Sequence, residues 1–239
     1  MAAAIQQALL PQPRVDGLFC TAIGSSSPCL AVGGDFYDYV DLPTGQFGFI
    51  VGDVAGKGSP AALLAAAVLG MFSAESTYQV SPASVVTRLN RGLFRRAIEN
   101  KFLTAFYGIL APDGAFTYTN AGHNAPVLVS GPGVRRLETG GLVLGLFEHA
   151  TFDEETVILA PGDFIVAFSD GVTEAFDVAG EEYTDDRLLA SIDRHRGKAP
   201  QALLDGLLAD VKVFAAEATQ NDDLTLVMVR FDGTSQPLT

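Results

Sequence analysis

The chain has little cysteine, little positive charge and no long apolar run. Only two of its 239 residues are cysteines, Cys20 and Cys29. Their spacing is not that of a zinc site, and no histidine cluster stands beside them. A disulfide scaffold is excluded, and two reduced thiols fit a cytoplasmic protein. Lysine and arginine number 15 against 28 aspartates and glutamates, a net charge of −13. That balance excludes nucleic acid as the partner, because such binding rests on basic patches. It also excludes an anionic membrane surface. The longest apolar stretch, Pro60 to Phe72, is too short and too alanine-rich to span a bilayer. The opening Met1-Ala2-Ala3-Ala4 lacks the basic start and apolar run of a signal peptide, so none is expected. The three histidines are His123, His149 and His195. No Ser/His or Cys/His nucleophile pair stands out among them.

What remains is a globular composition, 48% hydrophobic, of a length suited to one large domain. The informative stretch is Gly52-Asp53-Val54-Ala55-Gly56-Lys57-Gly58-Ser59-Pro60. It follows the apolar run Phe47 to Val51, which reads as a strand, and precedes an Ala/Leu-rich helix begun by Ser59-Pro60. It is not a phosphate-binding P-loop. That motif needs four residues between its first glycine and Gly-Lys-Ser/Thr, whereas Gly52 and Gly56 enclose three and Gly58 follows Lys57.

Taken in order, residues 2–10 read as a short helix ended by Pro11 and Pro13. Residues 18–23 read as a strand, and 24–28 as a Ser/Gly/Pro loop. Gly33 to Val40 and Gln46 to Asp53 alternate around a Thr44-Gly45 turn, the signature of a hairpin. In such a hairpin Asp35 opens one strand and Asp53 closes the other. The helix from Pro60 to Ser73 is apolar almost all round and is expected to be largely buried. A second helix begins at Ser81-Pro82. It carries Val85, Val86, Leu89, Leu93, Phe94, Ala97 and Ile98 on one stripe and Arg88, Arg91, Arg95 and Arg96 on the other. From Phe102 onward strands dominate. The run Asp163 to Phe168 ends at Ser169-Asp170-Gly171, helices are expected at 185–194 and 200–218, and the strand 224–230 is introduced by Asp222-Asp223. No repeat and no linker interrupt the chain. The simplest architecture is a single α+β domain of stacked sheets covered by helices.

Asp35, Asp53, Asp170 and Asp222, with Asp223 beside it, all fall at strand boundaries. Singly, each reads as a turn or cap residue. If they converge, their repulsion requires a counter-ion. An all-oxygen donor set suits magnesium or manganese rather than zinc, and two such ions sharing a water are suited to phosphate hydrolysis.

Six motifs occur in one order: Gly33-Gly34-Asp35-Phe36-Tyr37-Asp38, Gly52 to Gly58, Phe102 to Gly108, Asn120-Ala121-Gly122-His123-Asn124-Ala125-Pro126, Ser169 to Ala175, and Asp222-Asp223-Leu224-Thr225-Leu226. Together they resemble the metal-dependent protein phosphatases, in the bacterial branch typified by stage II sporulation protein E and RsbU. The resemblance implies a four-layer α-β-β-α sandwich of two antiparallel sheets flanked by helices. It implies hydrolysis of phosphoserine or phosphothreonine on a protein by two manganese or magnesium ions. By the same resemblance Asp53 bridges both metals, Val54 offers its backbone carbonyl to the second, Asp35 serves that second metal partly through water, and Asp170 and Asp222 hold the first. Asp222 is preferred by its spacing to the Leu-Thr strand start, with Asp223 the alternative. His123 falls near the metals in relatives, where it either orients water or phosphate or is structural. Ala55 and Val143 depart from the pattern at positions where serine and proline are common. The general acid is left open. The expected domain spans residues 14–232, after a linker-helix segment at 1–13 and before a tail at 233–239. In relatives the substrate is often a phosphorylated anti-sigma factor antagonist, a sensor domain precedes the phosphatase, and the N-terminal and switch helices mediate dimerisation. The other readings are a catalytically silent module of the same fold and hydrolysis of a small phosphoester.

Overall fold

The computed structural model describes residues 1–77, 81–96 and 101–234. The chain runs α1 (Ala2–Leu9), β1 (Arg14–Asp16), β2 (Cys20–Ser27), β3 (Phe36–Asp41), β4 (Phe47–Val54), α2 (Ser59–Ser76) and α3 (Pro82–Phe94). Then come β5 (Leu103–Leu110), β6 (Ala115–Ala121), β7 (Val127–Ser130), β8 (Gly133–Arg136), β9 (Gly140–Gly141), β10 (Glu155–Ile158) and β11 (Phe164–Phe168). The last elements are α4 (Asp170–Thr173), α5 (Thr184–His195), α6 (Pro200–Ala215) and β12 (Leu224–Phe231). One sheet has the order β1-β2-β12-β11-β7-β8 and the other β10-β6-β5-β4-β3. Every pairing along these paths is antiparallel; the two-residue β9 joins β6 in parallel.

The central strands read as unbroken apolar runs because both of their faces are covered. Successive side chains of a strand point to opposite faces. Along β4, Phe47, Phe49 and Val51 enter the layer between the sheets, while Ile50 and Val54 face α2 and α3. Along β12, Val227 and Val229 enter the same central layer, and Leu226 and Met228 face α5 and α6. The central layer is rich in stacked rings, with Phe106, Phe116 and Tyr118 mutually in contact. The outer layers are closed by Leu64, Val68, Phe72, Val85 and Leu89 on one side, and by Leu188, Ile192, Leu204 and Leu207 on the other. The expected four-layer sandwich is the observed one.

Three local expectations are corrected. The first strand does not stop at Ile23: β2 continues through Gly24-Ser25-Ser26-Ser27, paired residue for residue with Val227 back to Leu224. Gly24 is there for clearance, since a Cβ on it would lie 2.4 Å from the Tyr37 ring. The helix α2 is buried along one stripe rather than all round, and Leu63 on its outer face is 73% exposed. Its 18 residues are apolar enough by composition to cross a membrane, yet Leu64, Val68 and Phe72 pack on the sheet as core. The strand β1 and the single turn α4 were not anticipated, being too short to show a period. Ala97 and Ile98, expected on the apolar stripe of α3, lie outside the described residues.

Candidate metal centre

Two sheets deliver the predicted acids to one end of the sandwich. In the hairpin β3–β4, Phe36 pairs with Gly52, so Asp35 stands beside Asp53 as the alternation predicts. In the other sheet, β11 and β12 pair with Phe168 opposite Leu226. That register sets Asp170, at the start of α4, beside Asp222 and Asp223, which precede β12.

The crowding of the site depends on glycine: a Cβ on Gly33 would fall 2.1 Å from Asp223 Oδ2, across from the other sheet. A Cβ on Gly34 would fall 2.8 Å from the Val54 carbonyl oxygen and 3.2 Å from Asp53 Oδ1. The Gly34 backbone therefore runs directly over the strand end that carries Asp53 and Val54. This loop is held from the far sheet. Asp223 is buried, and its Oδ2 accepts from the Gly34 and Asp35 amides at 2.6 and 3.3 Å, while Oδ1 accepts from the Cys29 amide at 2.8 Å. From the N-terminal side, the Gln6 amide group of α1 brackets Gly33, donating to its carbonyl at 2.7 Å and accepting from its N–H at 3.1 Å.

The electrostatics are those of a cluster short of positive charge. Burial pushes the Asp53 carboxyl up to about 7, and the charges of Asp170, Asp222 and Asp223 add to the effect. Burial, and then Asp53, raises Asp35 well above the usual carboxylate range, although Thr225 and Ser169 favour its ionised form. Asp170 is raised by burial and by Asp222. The Oδ2 atom of Asp35 is buried without a hydrogen-bond partner, and a buried polar atom left so is costly. Asp222 is partly exposed, and its Oδ2 pairs with Lys57 Nζ at 2.6 Å. The Cys29 thiol and single carboxylate oxygens of Asp222 and Asp223 lie within 4.8 Å of one another. The donors that converge, carboxylates and one backbone carbonyl, fit hard divalent cations.

His123 stands behind this cluster. Its Nδ1 lies 2.8 Å from the Thr104 hydroxyl, and Thr104 pairs with Asp53 across β4 and β5. Asn120 closes a turn around it, accepting from the His123 amide and donating to its carbonyl. Burial drives the imidazole down to about 4, the Phe168 backbone opposing only in part, so the ring is neutral at pH 7. Its Nε2 is buried without a hydrogen-bond partner. Two residues without a role in the sequence reading also belong here, Lys57 as the partner of Asp222 and Gln6 as the hold on Gly33, and Asp223, the alternative to Asp222 there, is the clamp on the Gly34 loop. Lys57 and Asp223 lie within two of the six motifs, and Gln6 lies in none.

A sequence model described as Stage II sporulation protein E (SpoIIE) matches residues 43–232. The phosphoserine phosphatase RsbU of Bacillus subtilis (strain 168) is 32% identical over 238 residues, covering 96% of this chain and 69% of that protein. The solved SiaA-PP2C domain of Pseudomonas aeruginosa superposes with a TM-score of 0.81 at 21% identity, covering 97% of this chain and 94% of that one. RsbX, solved in complex with magnesium, superposes with a TM-score of 0.68 at 16% identity, covering 91% of this chain and 98% of that one. The family match over most of the length, the identity to RsbU and the shared fold agree: the chain belongs to the stage II sporulation protein E (SpoIIE) family.

Proposed function

We propose that this chain is a metal-dependent phosphatase that releases phosphate from phosphoserine or phosphothreonine on a regulatory protein. The observation that carries the reading is the crowding of Asp35, Asp53, Asp170 and Asp222 at one sandwich end, with Asp53 pushed up to about 7 and Asp35 Oδ2 left without a partner. Such an arrangement is poor as structure alone and apt as a cation site. Asp53, the Val54 carbonyl and Asp35 would hold one ion, and Asp53, Asp170 and Asp222 the other, manganese or magnesium serving in both places. Bound there, the ions would supply a water acidic enough to attack phosphorus and positive charge for the phosphoryl oxygens.

The protein's own contribution is placement. Asp223 fixes the loop that carries Asp35, and the β4–β5 ladder with Thr104 and His123 backs the strand end that carries Asp53. A groove of about 460 Å³ opens beside the acids, bordered by Gly171 and Asp222 and floored by Phe176, Leu208, Val211 and Leu224. It would receive the polypeptide that flanks the phosphoserine, which favours a protein substrate over a small phosphoester. An anti-sigma factor antagonist is the kind of substrate that the likeness to RsbU suggests. The domain would span residues 14–232, preceded by a linker helix and an upstream sensor. Ile5 and Leu9 on α1 and Leu63 on α2 are exposed and would meet their counterparts in a homodimer. Two free cysteines suit the cytoplasm.

The test is a comparison of rates on a panel of phosphoserine proteins and peptides and on small aryl and sugar phosphates, with magnesium or manganese. Faster turnover of at least one phosphoprotein per unit concentration supports the reading. Preference for the small esters throughout contradicts the protein-substrate claim. Sedimentation of the active protein as monomer alone at high concentration would contradict the dimer.

A further inference from the structure

Lys57 sits in the turn between β4 and α2. The backbone of that turn is pinned: the Ala55 amide donates to the Phe102 carbonyl at 2.9 Å, and Lys101 Nζ donates to the Ala55 carbonyl at 2.8 Å. The side chain of Lys57 is not pinned in the same way. It is 43% exposed and reaches over the acids, with Nζ 2.6 Å from Asp222 Oδ2 and donating also to the Asn221 carbonyl. Its charge is felt by Asp170 and Glu174 as well. Among the described residues, no arginine forms an ion pair with Asp35, Asp53, Asp170 or Glu174.

A phosphomonoester arrives as a dianion. Asp35, Asp53, Asp170, Asp222, Asp223 and Glu174 together outnumber the positive charges of two divalent cations, so the site repels such a substrate unless the protein adds a cation of its own. A lysine ammonium on a four-carbon stem is a mobile point charge suited to that task. Once Asp222 is engaged by a cation, the ammonium loses its carboxylate partner and keeps only the Asn221 carbonyl, while its backbone stays anchored within reach.

We propose that Lys57 is the phosphate-binding residue of this site, its ammonium leaving Asp222 to donate to a phosphoryl oxygen of the bound ester. The proposal rests on the phosphatase reading above and names the protein group that holds the substrate's charge.

The experiment uses the full chain with Lys57→Met and Lys57→Arg. Three quantities are read for each: magnesium binding by titration calorimetry, inorganic phosphate binding to the magnesium-loaded protein by the same method, and KM against kcat for an aryl phosphate. Thermal melts establish that each variant is folded. The expected result is that the Met variant binds inorganic phosphate roughly 10- to 100-fold more weakly, the worth of one charge-assisted hydrogen bond. Its KM rises in step, its magnesium affinity is undiminished, and the Arg variant recovers most of the loss. Phosphate affinity within about twofold of the unmodified protein in the Met variant overturns the proposal and leaves Lys57 a counter-ion of Asp222. If the unmodified protein, loaded with magnesium, neither binds phosphate nor cleaves any phosphoester, the phosphatase reading itself fails and the proposal falls with it.

Discussion

The Oδ2 atom of Asp223, at the head of β12, lies 2.6 Å from the backbone nitrogen of Gly34. This bond ties one sheet to the loop that opens the first strand of the other. Together with the bonds to Asp35 and Cys29 it fixes where Asp35 stands relative to Asp53. Asp223→Ala would leave three amides without their acceptor. It should cost about 2–4 kcal/mol and lower Tm by roughly 5–15 °C, read by calorimetric unfolding. Asp223→Asn, which keeps only one of the two acceptor oxygens, should fall between. A Tm unchanged by either substitution would show that Asp223 does not hold the loop.

The acid cluster sets a pH dependence in the metal-free protein. The Asp53 carboxyl, raised to about 7 by burial and by Asp170, Asp222 and Asp223, keeps in the folded state a proton that the unfolded chain releases near its ordinary value of 3.8. Stability is therefore fullest below that ordinary value and declines as pH rises towards 7. Divalent cations remove the penalty. Magnesium should raise Tm more at pH 7.5 than at pH 5.5, and its binding near pH 6 should release protons into the buffer. Asp53→Asn should raise the metal-free Tm at pH 7.5 and abolish the magnesium response. An equal magnesium shift at both pH values would contradict the assignment.

Glu155 predicts the opposite sign. The Tyr118 hydroxyl, Arg135 and the Thr139 hydroxyl hold its carboxyl down at about 2. Its bonds stabilise the fold above its ordinary 4.5 and are lost as pH falls through 2. In the Glu155→Gln variant the acid limb of the stability curve should be shallower between pH 4.5 and pH 2, followed by circular dichroism. An unaltered acid limb would assign that sensitivity elsewhere.

Gln6 links the N-terminal helix to the site. Its two bonds to Gly33 lie two residues from Asp35, and α1 has no buried residues to anchor it otherwise. Gln6→Ala should release α1, seen as faster amide exchange over residues 2–10 and 33–35, and should weaken magnesium binding by a few-fold, on the order of 1 kcal/mol. Unchanged exchange at residues 33–35 would mean that the helix does not act on the loop.

The sequence carried the frame of the site because the frame is periodic. The alternation of residues 33–53 specified the hairpin, and the hairpin's register put Asp35 beside Asp53. The acids at the ends of β11 and before β12 were visible as charges at the edges of apolar runs. What escaped was made by contacts distant in the chain. The β-structure of Gly24 to Ser27 comes from pairing with β12, about 200 residues later, and small residues carry no strand propensity of their own. The clamp by Asp223 joins residues 188 to 194 positions apart, and nothing local shows that it binds the Gly34 loop. The exposed face of α2 could not be told from its buried face because both are alanine-rich.

The most direct test of the central claim is hydrolysis of an aryl phosphate by the purified chain in EDTA, in magnesium and in manganese, beside the folded Asp53→Asn variant. The account predicts turnover that requires the added cation and falls by at least about a hundredfold, roughly 3 kcal/mol of transition-state stabilisation, in the variant. Turnover that persists in EDTA, or that survives the loss of Asp53, would contradict it.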